Sequence, residues 1–270
     1  MVHWTLDDIP WDRFDAAKLD PDILAIVKAA SLVEQNGADY ARYLHGVFAG
    51  DTAFQDAATQ WGTEEIQHGQ ALGRYATLAD PSFNHADACA RFTAGFRVDL
   101  DAQASVRGSR AGELVARCIV ETGTSSYYTA LGDKTDEPVL KAICRRIAAD
   151  ELRHYKLFLT HLDRYLQEEG LGFWGRLGIA LGRIRESEDD ELAMAYHVAN
   201  DLGTYDRRRA SEAYARRAYS VYRRHHVERG MAMVLKVVGL TPNGRLNRIA
   251  TGLAWWGMQR RVERWTKAAA

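Results

Sequence analysis

The fold of this 270-residue chain is decided by two stretches, WGTEEIQHG at residues 61–69 and ADELRHY at residues 149–155. Each stretch contains a glutamate followed three residues later by a histidine. The two pairs are Glu65 with His68 and Glu151 with His154. Residues three apart on an α-helix share one face, so each stretch predicts a helix that presents a carboxylate beside an imidazole.

A further glutamate precedes each pair by about the length of a helical hairpin. Glu34 lies 31 residues before Glu65, and Glu121 lies 30 residues before Glu151. At a rise of about 1.5 Å per residue, a helix leading to a turn and a helix returning from it bring both carboxylates to the same height. Each hairpin is therefore predicted to deliver one Glu and one Glu-x-x-His to a single plane.

Helical spacing of apolar residues extends well beyond these two stretches. It covers residues 20–48 and 54–78, a crossover segment at 86–102, and then residues 109–131 and 138–167. Two helical hairpins joined by one long crossover are the connectivity of a ferritin-like four-helix bundle. The sequence thus predicts an all-α protein of this class.

The rest of the chain predicts additional C-terminal helices, in a block at 190–230 and in a last helix at about 245–267. All five prolines lie in polar segments where helices can begin, which leaves long uninterrupted helices between them. We expect a di-iron helical bundle over residues 1–170. Residues 171–270 are predicted to form a helical extension that packs on the bundle and ends in a basic tail.

Four carboxylates and two imidazoles on facing helices form the ligand set of a di-iron or di-manganese centre. Oxygen and nitrogen donors favour iron, with manganese as the alternative, and the absence of thiolates argues against a tetrahedral zinc site. The competing interpretation places the same side chains on solvated helix faces. The predicted metal ligands are Glu34, Glu65, His68, Glu121, Glu151 and His154.

The three cysteines are odd in number and include no C-x-x-C, which argues against a disulfide framework and predicts thiols in a reducing compartment. The first residues, MVHWTLDDIPWDRFD, lack the basic flank and apolar run of a signal peptide. No stretch of about 18 apolar residues predicts a transmembrane helix. We therefore expect a cytoplasmic protein, with peripheral membrane association as an option.

The two stretches resemble a known family, the soluble acyl-carrier-protein desaturases. WGTEEIQHG resembles their first iron-binding box, W-x-x-E-E-x-x-H-G, and ADELRHY resembles their second, D-E-x-R-H. ETGT at 121–124 fits as well, because that family places a threonine three residues after the corresponding glutamate. The resemblance covers roughly residues 20–170.

The resemblance implies a role for each matching residue. Glu34 and Glu121 would be outer ligands, Glu65 and Glu151 would bridge the irons, and each histidine would bind one iron. Thr124 would lie on the oxygen-binding side, although a helix-interior threonine bonded to its own backbone is the alternative. Asp150 and Glu64, if not simply exposed charges, would accept the outer N–H groups of His68 and His154.

The activity implied by the resemblance is oxygen activation, with O2 as co-substrate, by an oxidoreductase that desaturates or hydroxylates a fatty acyl or other lipophilic chain. Electrons would come from an external donor, and dimers are common in the family. The alternatives are a ferritin-like or rubrerythrin-like protein that handles iron or peroxide, a metal-free helical interaction protein, and a tRNA or quinone hydroxylase.

The charge is divided unevenly along the chain. Residues 1–203 carry 20 Lys and Arg against 32 Asp and Glu, whereas residues 204–270 carry 15 against 4. The segments 171–184 and 247–267 combine Trp and Leu with arginines, which suits an anionic membrane surface or an acidic carrier protein. The alternative is that they pack on the bundle with solvated arginines.

Two basic runs, RRR at 207–209 and YRRHH at 222–226, would suit RNA. No aromatic stacking platform or RNA-binding module accompanies them, so nucleic acid is not an expected partner.

Overall fold

The computed structural model describes residues 3–186 and 190–269. Helices joined by loops, with no strand, make up this described part, which confirms the predicted all-α class. Residues 1, 2, 187–189 and 270 belong to the two predicted domain ranges but lie outside it. The helices are α1 Pro21–Gln35, α2 Gly37–Val47, α3 Thr52–Ala79, α4 His85–Gly95, α5 Arg110–Lys134, α6 Pro138–Glu169, α7 Phe173–Arg185, α8 Asp190–Ala199, α9 Arg207–Ser220, α10 Arg224–Val237 and α11 Arg245–Ala269.

Helices α1 and α2 run antiparallel to α3, and glycines allow their backbones to approach closely. A Cβ atom built on Gly37 would lie 2.4 Å from Cβ of Glu65, and one on Gly69 would lie 2.7 Å from the backbone nitrogen of Gln35. Gly37 thus lies beside Glu65, whereas the earlier residue Gln35 lies beside the later residue Gly69, as two antiparallel helices require. Asp51 begins α3 by accepting a hydrogen bond from the backbone N–H of Phe54.

The predicted helix at 20–48 is interrupted at Asn36, which separates α1 from α2. The backbone of Asn36 has φ −79° and ψ 2°, and its side-chain amide donates to Oε1 of Glu191 on α8 at 3.3 Å. Asparagine and glycine both have low helix propensity, so the Asn36–Gly37 step is the weakest point of this stretch. The interruption falls two residues after Glu34.

Helices α5 and α6 form the second antiparallel hairpin. Oγ of Ser125 donates to the carbonyl of Ala148 at 3.4 Å, while the backbone N–H of Ala111 donates to Glu169 at the far end of α6 at 2.8 Å. Helix α5 continues to Lys134, beyond the predicted end at residue 131. The connection to α6 is therefore shorter than the gap between the two predicted helices. Pro138 occupies the first turn of α6, where its missing N–H costs nothing.

The crossover between the hairpins contains α4, which ends at Gly95 rather than near residue 102 as the periodicity predicts. Residues 96–109 are loop and turn, and the backbone of Gly108 has a positive φ of 85°. The four long helical segments and this single crossover are compatible with a ferritin-like bundle.

The apolar interior has two clusters, one toward each end of the bundle. The first includes Tyr196 and Val221 from the C-terminal helices together with residues of α1, α3, α5 and α6. The second includes Ala180 of α7 and Val237 of α10. The helices after residue 170 therefore share both clusters with the bundle. Within the described residues, no helix combines the length and hydropathy needed to cross a bilayer.

Candidate metal centre

Six side chains converge in the middle of the bundle, between α1, α3, α5 and α6. All are the residues whose spacing predicts metal ligands, and none is more than 9% exposed. They are Glu34, Glu65, His68, Glu121, Glu151 and His154. Burying four carboxylates and two imidazoles together costs free energy unless protons, ion pairs or metal ions compensate their charges.

The donor atoms of these side chains fall into two overlapping groups, and within each group all lie within 4.8 Å of one another. Glu65 and Glu151 belong to both groups. Each group can hold a metal ion, and the shared pair gives the two positions common carboxylates. The first group is Glu34, Glu65, His68 and Glu151, and the second is Glu65, Glu121, Glu151 and His154.

Distances within the centre show a near two-fold arrangement. Nδ1 of His68 lies 3.2 Å from Oε1 of Glu151 and 3.6 Å from Oε2 of Glu34. Nδ1 of His154 lies 3.0 Å from Oε1 of Glu65, and its distance from Oε2 of Glu121 is again 3.6 Å. Each imidazole thus faces one shared carboxylate closely and one unshared carboxylate at a slightly greater distance.

Each of the six side chains has one buried polar atom without a hydrogen-bond partner. An unpaired buried donor or acceptor costs about 1–3 kcal/mol, and charged groups cost more. Six such atoms close together, all of types that coordinate metals, fit the ligand shell of a metal centre. The atoms are Oε2 of Glu34, Oε1 of Glu65, Nδ1 of His68, Oε1 of Glu121, Oε1 of Glu151 and Nδ1 of His154.

The outer nitrogens of both histidines are hydrogen bonded across the bundle. Nε2 of His68 lies 2.9 Å from Oδ2 of Asp150, and Nε2 of His154 lies 2.9 Å from Oε2 of Glu64. A carboxylate at Nε2 fixes the hydrogen there in the neutral imidazole, which leaves the lone pair of Nδ1 directed into the centre. Asp150 and Glu64 are themselves buried and are not exposed charges.

Besides His68, two residues contact the carboxylate of Asp150, and one of them also approaches Glu64. The indole Nε1 of Trp4 donates to Oδ2 of Asp150 at 2.7 Å, and its ring stacks parallel to His68 with centroids 6.1 Å apart. The guanidinium of Arg153 pairs with Asp150 and lies 3.6 Å from Oε2 of Glu64. No periodicity signals Trp4, because it precedes the first long helix. Arg153, in contrast, is the arginine of the D-E-x-R-H stretch.

Hydroxyl groups on α5 reach two of the carboxylates. Oγ1 of Thr124 lies 2.6 Å from Oε2 of Glu151, and 3.3 Å from the carbonyls of Val120 and Glu121. The threonine thus contacts both its own helix backbone and the centre, and its shortest contact is with the centre. The hydroxyl of Tyr128 donates to Oε1 of Glu34 at 2.5 Å.

Tyr128 is absent from the set that the sequence predicts. It lies seven residues after Glu121, two helical turns along the same face of α5, and this spacing could have revealed it. Its contact with Glu34 joins the first helix to the second hairpin.

Burial and neighbouring charges shift the pKa values of three carboxyl groups of the centre, and not all in the same direction. Burial, with the negative charges of Glu151 and Glu34, raises the pKa of Glu65 well above its ordinary value. Burial also raises the pKa of Glu121 to about 8. It acts in the same direction on Glu151, but the imidazoles of His154 and then His68 beside its carboxylate hold the pKa of Glu151 well below its ordinary value.

The two histidines respond to the opposite balance. Burial disfavours the imidazolium of His68, but the hydrogen bond with Asp150 and the nearby carboxylates of Glu151 and Glu34 raise its pKa well above the ordinary value. Similar partners, led by Glu121 and Glu151, raise the pKa of His154 despite its burial. Protons therefore supply the positive charge of the centre when no metal is bound, and a metal would displace them.

Asp133, His225 and His226 form a third group of suitable residue types. Nδ1 of His226 accepts the backbone N–H of Arg223 at 3.0 Å, which leaves Nε2 as the donor to Oδ2 of Asp133, also at 3.0 Å. Burial lowers the pKa of His226, so the neutral ring is favoured. A metal at Nε2 would require the hydrogen to move to a nitrogen that is already an acceptor. The two histidines lie in the first turn of α10, and the group is a poor metal site.

A scan of the chain against protein-family models gives no match, and neither does a search of curated proteins.

Proposed function

We propose that the protein is an oxygen-activating di-iron oxidoreductase that desaturates or hydroxylates a fatty acyl or other lipophilic chain. The observation that carries the proposal is the pair of overlapping four-residue groups with a partnerless buried atom on every member. Oxygen and nitrogen donors in this number and burial suit iron, with manganese as the alternative, and a paired centre suits O2 better than a single ion does.

In the proposed centre, Glu34 and His68 would hold one iron, and Glu121 and His154 would hold the other. Glu65 and Glu151 would serve both irons, because each belongs to both groups. Bound iron would supply the electrons and the open coordination positions for reducing O2, and so for oxidising a C–H bond.

The protein supplies position, proton control and exclusion of water. Asp150 and Glu64 fix the orientation of the imidazoles through hydrogen bonds of 2.9 Å. The Thr124 hydroxyl places a proton at Oε2 of Glu151, so it can stabilise that carboxylate as its charge changes. The full burial of His68 and Glu151 keeps bulk water from the bridging side.

The choice of an acyl or lipophilic substrate rests on the resemblance of residues 61–69 and 149–155 to the desaturase boxes. Forming one double bond uses one O2, two hydrogens of the substrate, two electrons from an external donor and two protons from solvent, and yields two waters. The described cysteines are isolated thiols, so the proposed electron donor is a separate reductant.

The test begins with metal analysis of the purified protein, followed by anaerobic loading with Fe(II). O2 consumption is then measured with dithionite-reduced enzyme in the presence of acyl-carrier-protein, acyl-coenzyme A or free fatty acid substrates. We expect O2 uptake that depends on the substrate. The product should be lighter than the substrate by two hydrogens or heavier by one oxygen. Oxidation of many irons per chain without any substrate would instead identify an iron-handling protein, and full folding in chelator without metal affinity would remove the metal role.

A further inference from the structure

Helix α11 carries a stripe of exposed apolar side chains. Its large apolar side chains point outward: Leu246 is 48% exposed, Ile249 60%, Leu253 66% and Trp256 56%. The spacing of three, four and three residues keeps all four on one side over about 15 Å of helix. A helix that only packed on the bundle would bury this side.

Among the described side chains of α11, the two that are buried are polar. They are Asn247 and Thr251, and Oγ1 of Thr251 donates to Oδ1 of Asn247 at 3.1 Å. Further along the helix, the Trp265 ring lies 5.9 Å from that of Tyr219 on α9. The first half of α11 therefore buries polar residues while its leucines, isoleucine and Trp256 are exposed to solvent. An ordered exposed apolar stripe of this kind marks an interaction surface.

Positive charge continues the same stripe toward the C-terminal end of the helix. Arg260 and Arg264 follow Trp256 at spacings of four residues, and the guanidinium of Arg260 lies 4.1 Å from the centroid of the Trp256 ring. Residues 245–269 carry six Arg and Lys against one acidic residue, Glu263. Two copies of this helix placed face to face would oppose like charges, which disfavours self-association through the stripe.

A basic cavity adjoins the charged end of α11. It has a volume of about 310 Å³ and lies between α9 and α11, where four arginines and Glu212 line it. Nη1 of Arg208 lies 3.8 Å from Oε1 of Glu212, and Arg207 pairs with Asp190 of α8. A phosphate group fits such a site, because guanidinium groups bind it through paired N–H donors. The arginines are Arg207, Arg208, Arg261 and Arg264.

From these observations we propose that the outward face of α11 binds the surface of an anionic lipid bilayer. Leu246, Ile249, Leu253 and Trp256 enter the boundary between head groups and acyl chains, and the arginines contact lipid phosphates. The convex stripe needs a soft apolar layer rather than a shaped groove, and tryptophan beside arginine suits the interface. The proposal concerns α11 alone and does not depend on the metal centre.

The test is flotation of the full-length protein with vesicles of phosphatidylglycerol and phosphatidylcholine, compared with vesicles of phosphatidylcholine alone. We expect binding to the anionic vesicles that weakens at high salt. Leu253→Ser with Trp256→Ser should reduce the partition coefficient by at least about tenfold. Arg260→Gln with Arg264→Gln should reduce it by about fivefold for each arginine removed.

Matched control variants distinguish binding through α11 from non-specific binding of exposed apolar or basic residues. Val106 is 80% exposed in the crossover loop, and Val106→Ser should leave binding unchanged. Arg42, whose side chain is 63% exposed, serves in the same way as Arg42→Gln. Because these positions and the α11 stripe are exposed, circular dichroism should show unchanged folding in every variant. Chelator-treated protein should bind as the metal-loaded protein does.

Several outcomes would overturn the proposal. Absence of binding to anionic vesicles at low salt would do so, as would binding that the α11 variants leave unchanged. A dimer in sedimentation equilibrium that Leu253→Ser with Trp256→Ser dissociates would assign the stripe to a second copy of the chain. Binding of an acidic protein that excludes the vesicles would assign it to that partner.

Discussion

Asp150 accepts a hydrogen bond from Nε2 of His68 at 2.9 Å and one from the indole of Trp4 at 2.7 Å. Its negative charge fixes the imidazole and increases its basicity toward a metal. We expect Asp150→Asn to weaken Fe(II) affinity about tenfold to a hundredfold. Competition titration with a chromophoric chelator measures this change. Asp163→Asn, at an exposed position of the same helix, is the control, and an equal loss there would contradict the assignment.

The shared position of Glu65 and Glu151 predicts unequal effects of removing single carboxylates. Glu34→Gln removes a ligand from one group only, so one position should remain and the iron content should fall from about two to about one per chain. Glu151→Gln removes a ligand from both groups and should leave almost no iron. Elemental analysis after desalting gives the ratio. Equal losses in the two variants would show that the carboxylates are not shared as proposed.

The close approach of α2 and α3 predicts that Gly37 is needed for the centre. A Cβ at Gly37 would lie 2.4 Å from Cβ of Glu65, so Gly37→Ala must displace that glutamate or the helix. We expect a loss of about 1–3 kcal/mol in the free energy of unfolding, together with reduced iron content.

Gly123 on α5 provides the comparison for this variant, because no atom lies within 4 Å of a Cβ built there. Gly123→Ala should stabilise the protein by about 0.5–1 kcal/mol through the lower entropy of the unfolded chain. Urea denaturation of both variants gives the two values. A neutral Gly37→Ala would mean that the helices can separate at no cost.

The contact of Thr124 with Glu151 predicts a dependence of the reaction on the hydroxyl. Thr124→Val keeps the size of the side chain but removes its proton donor, and we expect substrate-dependent O2 uptake to slow by about tenfold or more. Iron content should be unchanged, and Thr124→Ser should restore most of the rate. A wild-type rate in the valine variant would assign Thr124 to helix packing through its carbonyl contacts.

The metal-free centre should make stability depend on pH. Burial raises the pKa of Glu121 to about 8, so the folded chain keeps a proton there at neutral pH that the unfolded chain has lost. Because the folded state binds more protons, the free energy of unfolding should fall as pH rises from about 6 to 8. The raised pKa values of His68 and His154 act in the same direction.

Urea denaturation of chelator-treated protein at several pH values tests this slope. Glu121→Gln should gain stability relative to the wild type as pH increases, because the amide has no proton to lose. Fe(II)-loaded protein should show the reverse trend, since metal binding releases the same protons. A metal-free protein whose stability rises over this range would contradict the proton-filled centre.

Much of the centre follows from the sequence because helical geometry is regular. The separations of Glu34 from Glu65 and of Glu121 from Glu151 need only the rise per residue to predict a common height. The all-α class follows from the same periodicity. The division of the chain near residue 170 stays a prediction, although the later helices share both apolar clusters.

Features that depend on irregular backbone or on contacts between distant segments could not be predicted from the sequence. The interruption at Asn36 was signalled only by an Asn-Gly step inside an otherwise helical pattern. Trp4 reaches Asp150 across 146 residues from a segment of short 3-10 turns, where no period exists to predict a direction. The exposed stripe of α11 was also hidden, because periodicity shows that a face is apolar but not whether it is covered.

Arg153 lies between the two carboxylates that orient the histidines, and its side chain is 34% exposed while theirs are buried. A single cation at the protein surface thus secures both halves of a centre that water does not reach. Anything that draws this guanidinium outward would loosen His68 and His154 together. A change at this one surface residue would therefore affect both metal positions at once.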